Sequence, residues 1–165
     1  MIFNTALQKT FRKRDRRYWC RVLELLMIYA DYMDAHKDLE DPGPNCHAIC
    51  RGLAKLIPHT RVIDGNFIGL KHVMRKGKMH IKLRFAAHTW LMLPSGSIID
   101  PYPVGFMSTN PVLVVTRGIY KPFGQGAYMP DKSTTKAHVT KEVLGKAREL
   151  TRLIRKAIRW KTKQK

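Results

Sequence analysis

Three residues of this chain carry side chains that could together perform nucleophilic catalysis: Cys46, His88 and Asp100. Cys46 lies in the stretch PNCHAIC, where Pro44 and Asn45 favour the start of a helix. A thiol in a first helical turn lies at the positive end of the helix dipole, near backbone N–H groups without a helical partner. Both effects favour the nucleophilic thiolate, and the same N–H groups can hold an oxyanion during acyl transfer.

The sequence context of His88 and Asp100 predicts that they are neighbours. His88 follows a run of alternating apolar and polar residues, and Asp100 ends the short apolar segment SIID. The segment PSG between them is a turn, which would place two antiparallel strands side by side. A histidine oriented by a carboxylate is the base that a thiol nucleophile requires. The pattern therefore predicts a catalytic triad.

Other interpretations of the cysteines are a zinc site and a packing role. Cys46 and Cys50 are four residues apart and several histidines are available, but zinc sites usually present a second close pair, and the chain has none. Most free cysteines pack in the core. Cys50, one turn further into the helix, fits that role better than Cys46. No motif for a phosphate, haem or other cofactor is present, so we expect neither a metal nor a cofactor.

Two segments, NCHAICRGLAKLI with TRVIDG and HTWLMLPSGSIIDPYP, resemble the transglutaminase-like core of the papain-like cysteine fold. In that family a cysteine opens a helix, a strand ending in glycine follows, and a His-small-Trp-aliphatic strand precedes an Asp-Pro pair. The resemblance covers about residues 43–105. It implies a nucleophilic Cys46, a basic His88 and an orienting Asp100.

The same resemblance implies what the site would act on. Trp90 corresponds to the aromatic residue that follows the base, Gly65 to the glycine that closes the first strand, and we assign Trp90 and Asn45 to substrate binding. Trp19 and Gln8 are upstream candidates for an oxyanion donor. The implied activity is cysteine-dependent acyl chemistry on an amide of a protein or peptide, as a protease or amidase, a deamidase or a transglutaminase.

Three helices are predicted around these residues. Apolar residues at spacings of three and four indicate a first amphipathic helix, which DPGPN would end. A second begins near Cys46, with Asn45 as its N-cap, and ends at Pro58. A third begins near Thr140. The apolar residues of the first helix are Tyr18, Val22, Leu25, Leu26, Tyr29 and Met33, and those of the third are Val143, Leu144, Ala147, Leu150, Leu153, Ile154, Ala157 and Ile158.

Between the second and third helices the apolar period changes to that of strands. RVIDGNFIG and KHVM are predicted as two strands and RKGK as a hairpin turn. MHIKLRF alternates, the alternation breaks at AAH and resumes as TWLML, and SIID and PVLVVTRG are further strands. The Gly- and Pro-rich IYKPFGQGAYMPDKS is predicted to be an irregular loop. The chain is therefore expected to form one α+β domain over residues 1–165, with its core at about 43–116 and an antiparallel sheet at about 61–116.

The charge suggests an alternative function. The chain has 31 Lys and Arg against 12 Asp and Glu, a formal net charge of +19, and the basic residues cluster at both ends. Such a field attracts nucleic acid, anionic membrane surfaces or acidic proteins. The alternative is a non-catalytic binding protein for nucleic acid or an acidic protein, whose contacts would include Arg152, Arg155, Lys156 and Arg159. No base-reading motif is present, so nucleic-acid contacts would be to phosphates.

The compartment is predicted from the cysteines and the N-terminus. The three cysteines are an odd number, which argues against a disulfide framework. A short apolar patch precedes the N-terminal basic run, the reverse of the order in a signal peptide, and no apolar run is long enough to span a membrane. We therefore expect a cytoplasmic protein with reduced thiols.

Overall fold

The computed structural model describes residues 13–41, 45–102, 112–114, 122–123, 126–131, 133 and 139–164. These residues form helices α1 (Lys13–Ala35), α2 (Cys46–Ala54) and α3 (Lys141–Lys163), and strands β1 (Arg61–Arg75), β2 (Lys78–Met92), β3 (Ile98–Asp100), β4 (Val112–Val114), β5 (Pro122–Phe123) and β6 (Gly126–Pro130). The sheet order is β4-β3-β2-β1-β6-β5, and every pairing is antiparallel. The predicted α+β class with an antiparallel sheet is confirmed.

The helices begin at side-chain caps that the sequence indicates. The Asn45 carboxamide oxygen accepts from two amides of the first turn of α2, and the Thr140 hydroxyl accepts from the amide of Val143 at the start of α3. Both predicted starts are confirmed. The start of α1 precedes Tyr18, because arginine and lysine are good helix formers and extend the helix into the basic run. The predicted end of α2 at Pro58 is wrong, since the helix stops at Ala54.

One acidic residue of the basic run anchors α1 to the sheet. Asp15 is 1% exposed and accepts a 2.6 Å hydrogen bond from the hydroxyl of Ser97. Ser97 directly precedes β3, so this bond ties the first turn of α1 to the turn between β2 and β3. A buried carboxylate requires such a partner.

The long hairpin of β1 and β2 is continuous where the sequence predicted interruptions. Lys76 and Gly77 form its turn, with φ of 47° and 73°, as the RKGK prediction requires. The predicted breaks at residues 70 and 86–88 are wrong, since β1 and β2 pair without interruption across both positions. At the base of the hairpin, consecutive residues 88–92 are all buried, so both faces are covered and no alternation is needed. Met74 and Met79 near the tip and Phe85 midway along β2 are exposed.

A strand also lies inside the predicted loop. Residues 126–130 form β6, which pairs with β1 from Gly65 opposite Pro130 to Gly69 opposite Gly126. The loop prediction is therefore wrong for this segment, and the sheet extends beyond residue 116. Gly126 and Pro130 lie at the two ends of the strand, where breakers are tolerated, and only three residues separate them.

The sheet has a core on each face. On one face a core cluster lies between the helices and the sheet. It consists of Val22, Leu25, Cys50, Leu53, Leu150 and Ile154 from the helices, and of Ile57, Leu91, Leu93 and Ile99 from the strands and the segments beside them. The opposite face carries a smaller cluster of Phe67, Trp90, Ile98 and Tyr128. The predicted apolar stripes of α1 and α3 face the core, with the exception of Leu144, which is exposed, so that part of the α3 prediction is wrong. None of the described helices combines the length and apolar character needed to cross a membrane.

Candidate active site

Cys46 is the first residue of α2 and is 8% exposed. The Asn45 side chain in front of it accepts hydrogen bonds from the amides of His47 at 2.9 Å and Ala48 at 3.1 Å. These two first-turn amides are therefore already bonded. The expectation that the first-turn N–H groups hold an oxyanion has to be corrected for both, because the N-cap uses them.

His88 and Asp100 are joined by a buried hydrogen bond. His88 Nε2 lies 2.7 Å from Asp100 Oδ2, and both residues are 0% exposed. The same Oδ2 accepts from the hydroxyl of Tyr128 at 2.8 Å, and Oδ1 accepts from the amide of Tyr102 at 3.0 Å. The carboxylate is thus fixed through both oxygens, and it fixes the orientation of the imidazole.

The free side of the His88 ring interacts with the Cys46 thiol. Nδ1 of His88 makes no well-formed hydrogen bond within the part of the chain that is described, as is common for unliganded catalytic sites. Burial raises the pKa of the Cys46 thiol, but polar and charge interactions with His47 and His88 outweigh it and lower the pKa to about 6. Burial lowers the pKa of His88, whereas Asp100 and Cys46 raise it to about 9. Between these pH values the favoured state is a thiolate beside an imidazolium.

A second polar network, which sequence reasoning missed, lies on the other side of the thiol. His47 Nδ1 lies 2.5 Å from the Thr89 hydroxyl oxygen, which donates to Asp64 Oδ1 at 2.6 Å. Arg51 Nη2 donates to Asp64 Oδ2 at 2.7 Å. Consecutive residues of α2 thus interact with consecutive residues of β2: Cys46 with His88, and His47 with Thr89. Once the hairpin register is known, this network is readable, since Asp64 pairs with Thr89.

The electrostatics of this network favour a charged histidine and a charged carboxylate. Hydrogen bonds with Asp64 and Cys46 raise the pKa of His47 to about 9, although burial opposes the shift. Burial raises the pKa of Asp64, but hydrogen bonds from His47, Thr89 and Arg51 hold it well below its usual value. Two imidazoliums therefore flank one thiolate.

Trp90, which the sequence assigned to substrate binding, lies in the core. It is 0% exposed and packs edge-on against Tyr128, with its ring 6.2 Å from that of His88. In this structure the buried indole packs beside the ring of His88 and presents no surface to a substrate, and its assigned substrate role stays a prediction. Asn45, the other assigned residue, caps α2, and its substrate role stays a prediction. Tyr128 was missed because it lies in the segment predicted as a loop.

Cys50 takes the packing role expected for it. Its side chain is fully buried in the helical core, and its thiol donates to the backbone oxygen of Thr89 at 3.1 Å. Burial raises its pKa well above the usual value. Cys50 is therefore a poor nucleophile, and Cys20 is the exposed cysteine of the chain.

The four basic residues assigned to partner binding lie on the exposed face of α3. Arg152, Arg155, Lys156 and Arg159 line a concavity of about 360 Å³ together with Lys55, Arg148 and Thr151. Arg152 is hydrogen-bonded to the carboxylate of Glu149, so part of its charge is neutralised within the helix. In the N-terminal run, Lys13, Arg14, Arg16 and Arg17 are exposed on α1, and residues 9–12 lie outside the described residues.

Comparison with protein-family models, curated proteins and solved structures found no match to this chain. Among the described residues, no three His, Cys, Asp or Glu side chains are arranged to hold a metal ion. The function of the site therefore has to be inferred from its own geometry and chemistry.

Proposed function

We propose that this chain is a cysteine enzyme with a transglutaminase-like version of the papain-like core, which transfers the acyl group of an amide through Cys46, His88 and Asp100. One observation carries the proposal: a thiol at a helix N-terminus interacts with a histidine whose other nitrogen is bonded to a buried carboxylate. The opposite pKa shifts of Cys46 and His88 support it, since they favour the reactive ion pair.

The proposed reaction has two halves. The Cys46 thiolate attacks the carbonyl carbon, a C–S bond forms, and the carbonyl π electrons move to oxygen. The His88 imidazolium gives its proton to the leaving nitrogen as the C–N bond breaks, which leaves a thioester. Water or an amine then attacks the thioester while neutral His88 takes its proton, and the C–S bond breaks. The entering nucleophile decides between hydrolysis, deamidation of a glutamine side chain and transfer to an amine.

A thiol labelling experiment across pH tests the site directly. We expect iodoacetamide to alkylate Cys46 with a rate that rises with pH to a plateau, with a midpoint near 6, because the thiolate is the reactive form. Peptide mass spectrometry separates Cys46 from exposed Cys20 and buried Cys50, which serve as internal controls. The proposal would be contradicted if Cys46 were labelled with the same pH dependence as Cys20.

The basic face of α3 supports a second function, the binding of a polyanion. Six Lys and Arg side chains line one concavity, and a row of cations on a rigid helix fits the phosphates of nucleic acid better than a scattered charge would. Binding of a polyanion through this face would not involve Cys46, His88 or Asp100. The same basic face would also help an acyl-transfer enzyme to bind an acidic target.

Neutralising Arg152, Arg155, Lys156 and Arg159 together to glutamine is expected to weaken binding of double-stranded DNA at least about tenfold at low salt, because phosphate contacts dominate such affinity. Fluorescence anisotropy at several salt concentrations measures the affinity and its salt slope. The charge-matched control neutralises Arg75, Lys76, Lys78 and Lys82, which are exposed on the hairpin. Equal weakening in both variants would assign the binding to net charge and not to α3.

A further inference from the structure

The proposed triad does not use the second network beside the nucleophile. His47, Thr89, Asp64 and Arg51 form a continuous chain of hydrogen bonds, and the side chains of His47 and Asp64 are 10% and 5% exposed. Burying a charged carboxylate costs free energy unless it is fully paired, and here Asp64 receives bonds on both oxygens. A network of this kind beside a reactive thiol needs a chemical explanation.

The directions of the hydrogen bonds determine the protonation of the His47 ring. The Thr89 hydroxyl has a single proton, which it donates to Asp64 at 2.6 Å. Its oxygen therefore accepts from His47, so that Nδ1 of His47 carries a proton. Arg51 keeps Asp64 ionised from the other side, at 2.7 Å. The ring is thus held in place by a fixed anion, which favours a proton on both nitrogens.

Two of the first-turn amides of α2 are not available to the attacked carbonyl oxygen. The amides of His47 and Ala48 are occupied by Asn45. Of the two upstream side chains considered as oxyanion donors, Trp19 packs against the helical core cluster and Gln8 lies outside the described residues. Acyl transfer needs donors aimed at the oxygen that becomes negative.

We propose that His47 is a third catalytic side chain, which stays protonated and donates a hydrogen bond to the carbonyl oxygen as it becomes an oxyanion. The proposal rests on the acyl chemistry proposed above. In the resting site the His47 ring interacts with the Cys46 thiolate. When the C–S bond forms, sulfur loses its negative charge and the carbonyl oxygen gains it, so the same N–H group finds a new acceptor.

The two histidines then have separate tasks. His88 gives its proton to the leaving nitrogen and takes one back from the entering nucleophile. His47 keeps its proton, because Thr89, Asp64 and Arg51 stabilise its charge. When the C–N bond breaks, the carbonyl π bond re-forms, the negative charge leaves the oxygen, and the hydrogen bond from His47 returns to its resting strength.

Two reagents that react with the Cys46 thiol distinguish a catalytic role of His47 from a structural one. Iodoacetamide alkylates sulfur without forming an oxyanion, whereas p-nitrophenyl acetate acylates it through one. We expect His47→Gln to lower the acylation rate about 100-fold at a pH where the thiol is ionised, while the alkylation rate changes less than about threefold. The ratio of the two rates is the readout. His80→Gln, at an exposed hairpin histidine, is the matched control and should keep the wild-type ratio.

A second pair of variants covers the case in which His47→Gln fails to fold. Thr89→Val removes the hydroxyl that joins His47 to Asp64 and is expected to lower the ratio about tenfold. Thr89→Ser restores a hydroxyl and should recover most of the loss. A wild-type ratio in His47→Gln or in Thr89→Val would overturn the role of His47. A wild-type protein that is alkylated at Cys46 but never acylated would overturn the acyl chemistry as well.

Discussion

Cys46→Ala is expected to abolish acylation of the protein by p-nitrophenyl acetate, with a loss of about three orders of magnitude or more. Neither of the other cysteines is expected to replace it, since Cys50 is buried with a raised pKa and Cys20 is an exposed thiol on α1. Release of nitrophenolate measures the rate, and intact-protein mass spectrometry detects the acyl-enzyme. Persistent acylation at the wild-type rate would contradict the assignment of the nucleophile.

The wild-type rate should depend on pH in a bell shape. Acylation rises through about pH 6 because the thiolate forms there, and it falls through about pH 9 because His88 and His47 lose their protons. Cys50→Ala is the matched control, which should lower the temperature of unfolding through lost core packing but keep the bell shape. A single rise near the pKa of an ordinary thiol would argue against the ion pair.

Gly65→Ala is expected to destabilise the fold by about 3 kcal/mol or more, because the added methyl group has no space. A Cβ at this position would lie 2.1 Å from the carbonyl oxygen of Met129 and 2.6 Å from Cη2 of Trp90. The first is backbone of β6 and the second is the ring of a fully buried side chain, so neither can move without loosening the sheet beside His88.

Urea denaturation provides the measurement, with Gly145→Ala as the matched control. Gly145 lies in α3, and a Cβ added there meets nothing within 4 Å. The helix propensity of alanine should make that variant more stable by about 0.5–1 kcal/mol. A Gly65→Ala protein within about 0.5 kcal/mol of wild type would show that the strands can separate at little cost.

Local signals were sufficient to predict the starts of α2 and α3 and the pairing of two site residues. Asn45 and Thr140 precede amphipathic segments, and the structure shows both as N-caps. The turn PSG predicted that His88 and Asp100 are neighbours, and they are hydrogen-bonded at 2.7 Å. Their catalytic role, like the papain-like core, stays a prediction.

The rest of the site depends on contacts between distant parts of the chain. Thr89 reaches His47 across 42 residues and Asp64 across 25, and no periodicity in the sequence indicates these contacts before the strand register is known. Tyr128 was not predicted as a site residue because the glycines and prolines around β6 indicated a loop. The interruptions predicted in β1 and β2 are absent because the two strands pair continuously. Residues 88–92 of β2 lack the alternation that marks a strand because all five are buried.

The turn at Lys76 and Gly77 helps to set the strand register at the candidate site, although it lies far from that site. The hairpin register runs from this turn without a bulge to the pair Gly65 and His88, roughly 35 Å away at the rise of a β-strand. A slip of one residue would exchange the faces of His88 and Thr89, which would separate each from its carboxylate. Chains that close the turn in the wrong register would therefore keep the secondary structure but lose the hydrogen bonds of His88 and Thr89 to their carboxylates. Both turn residues have positive φ, a conformation that a lysine adopts less readily than a glycine, so the register that brings His88 to Asp100 depends in part on an exposed turn far from both.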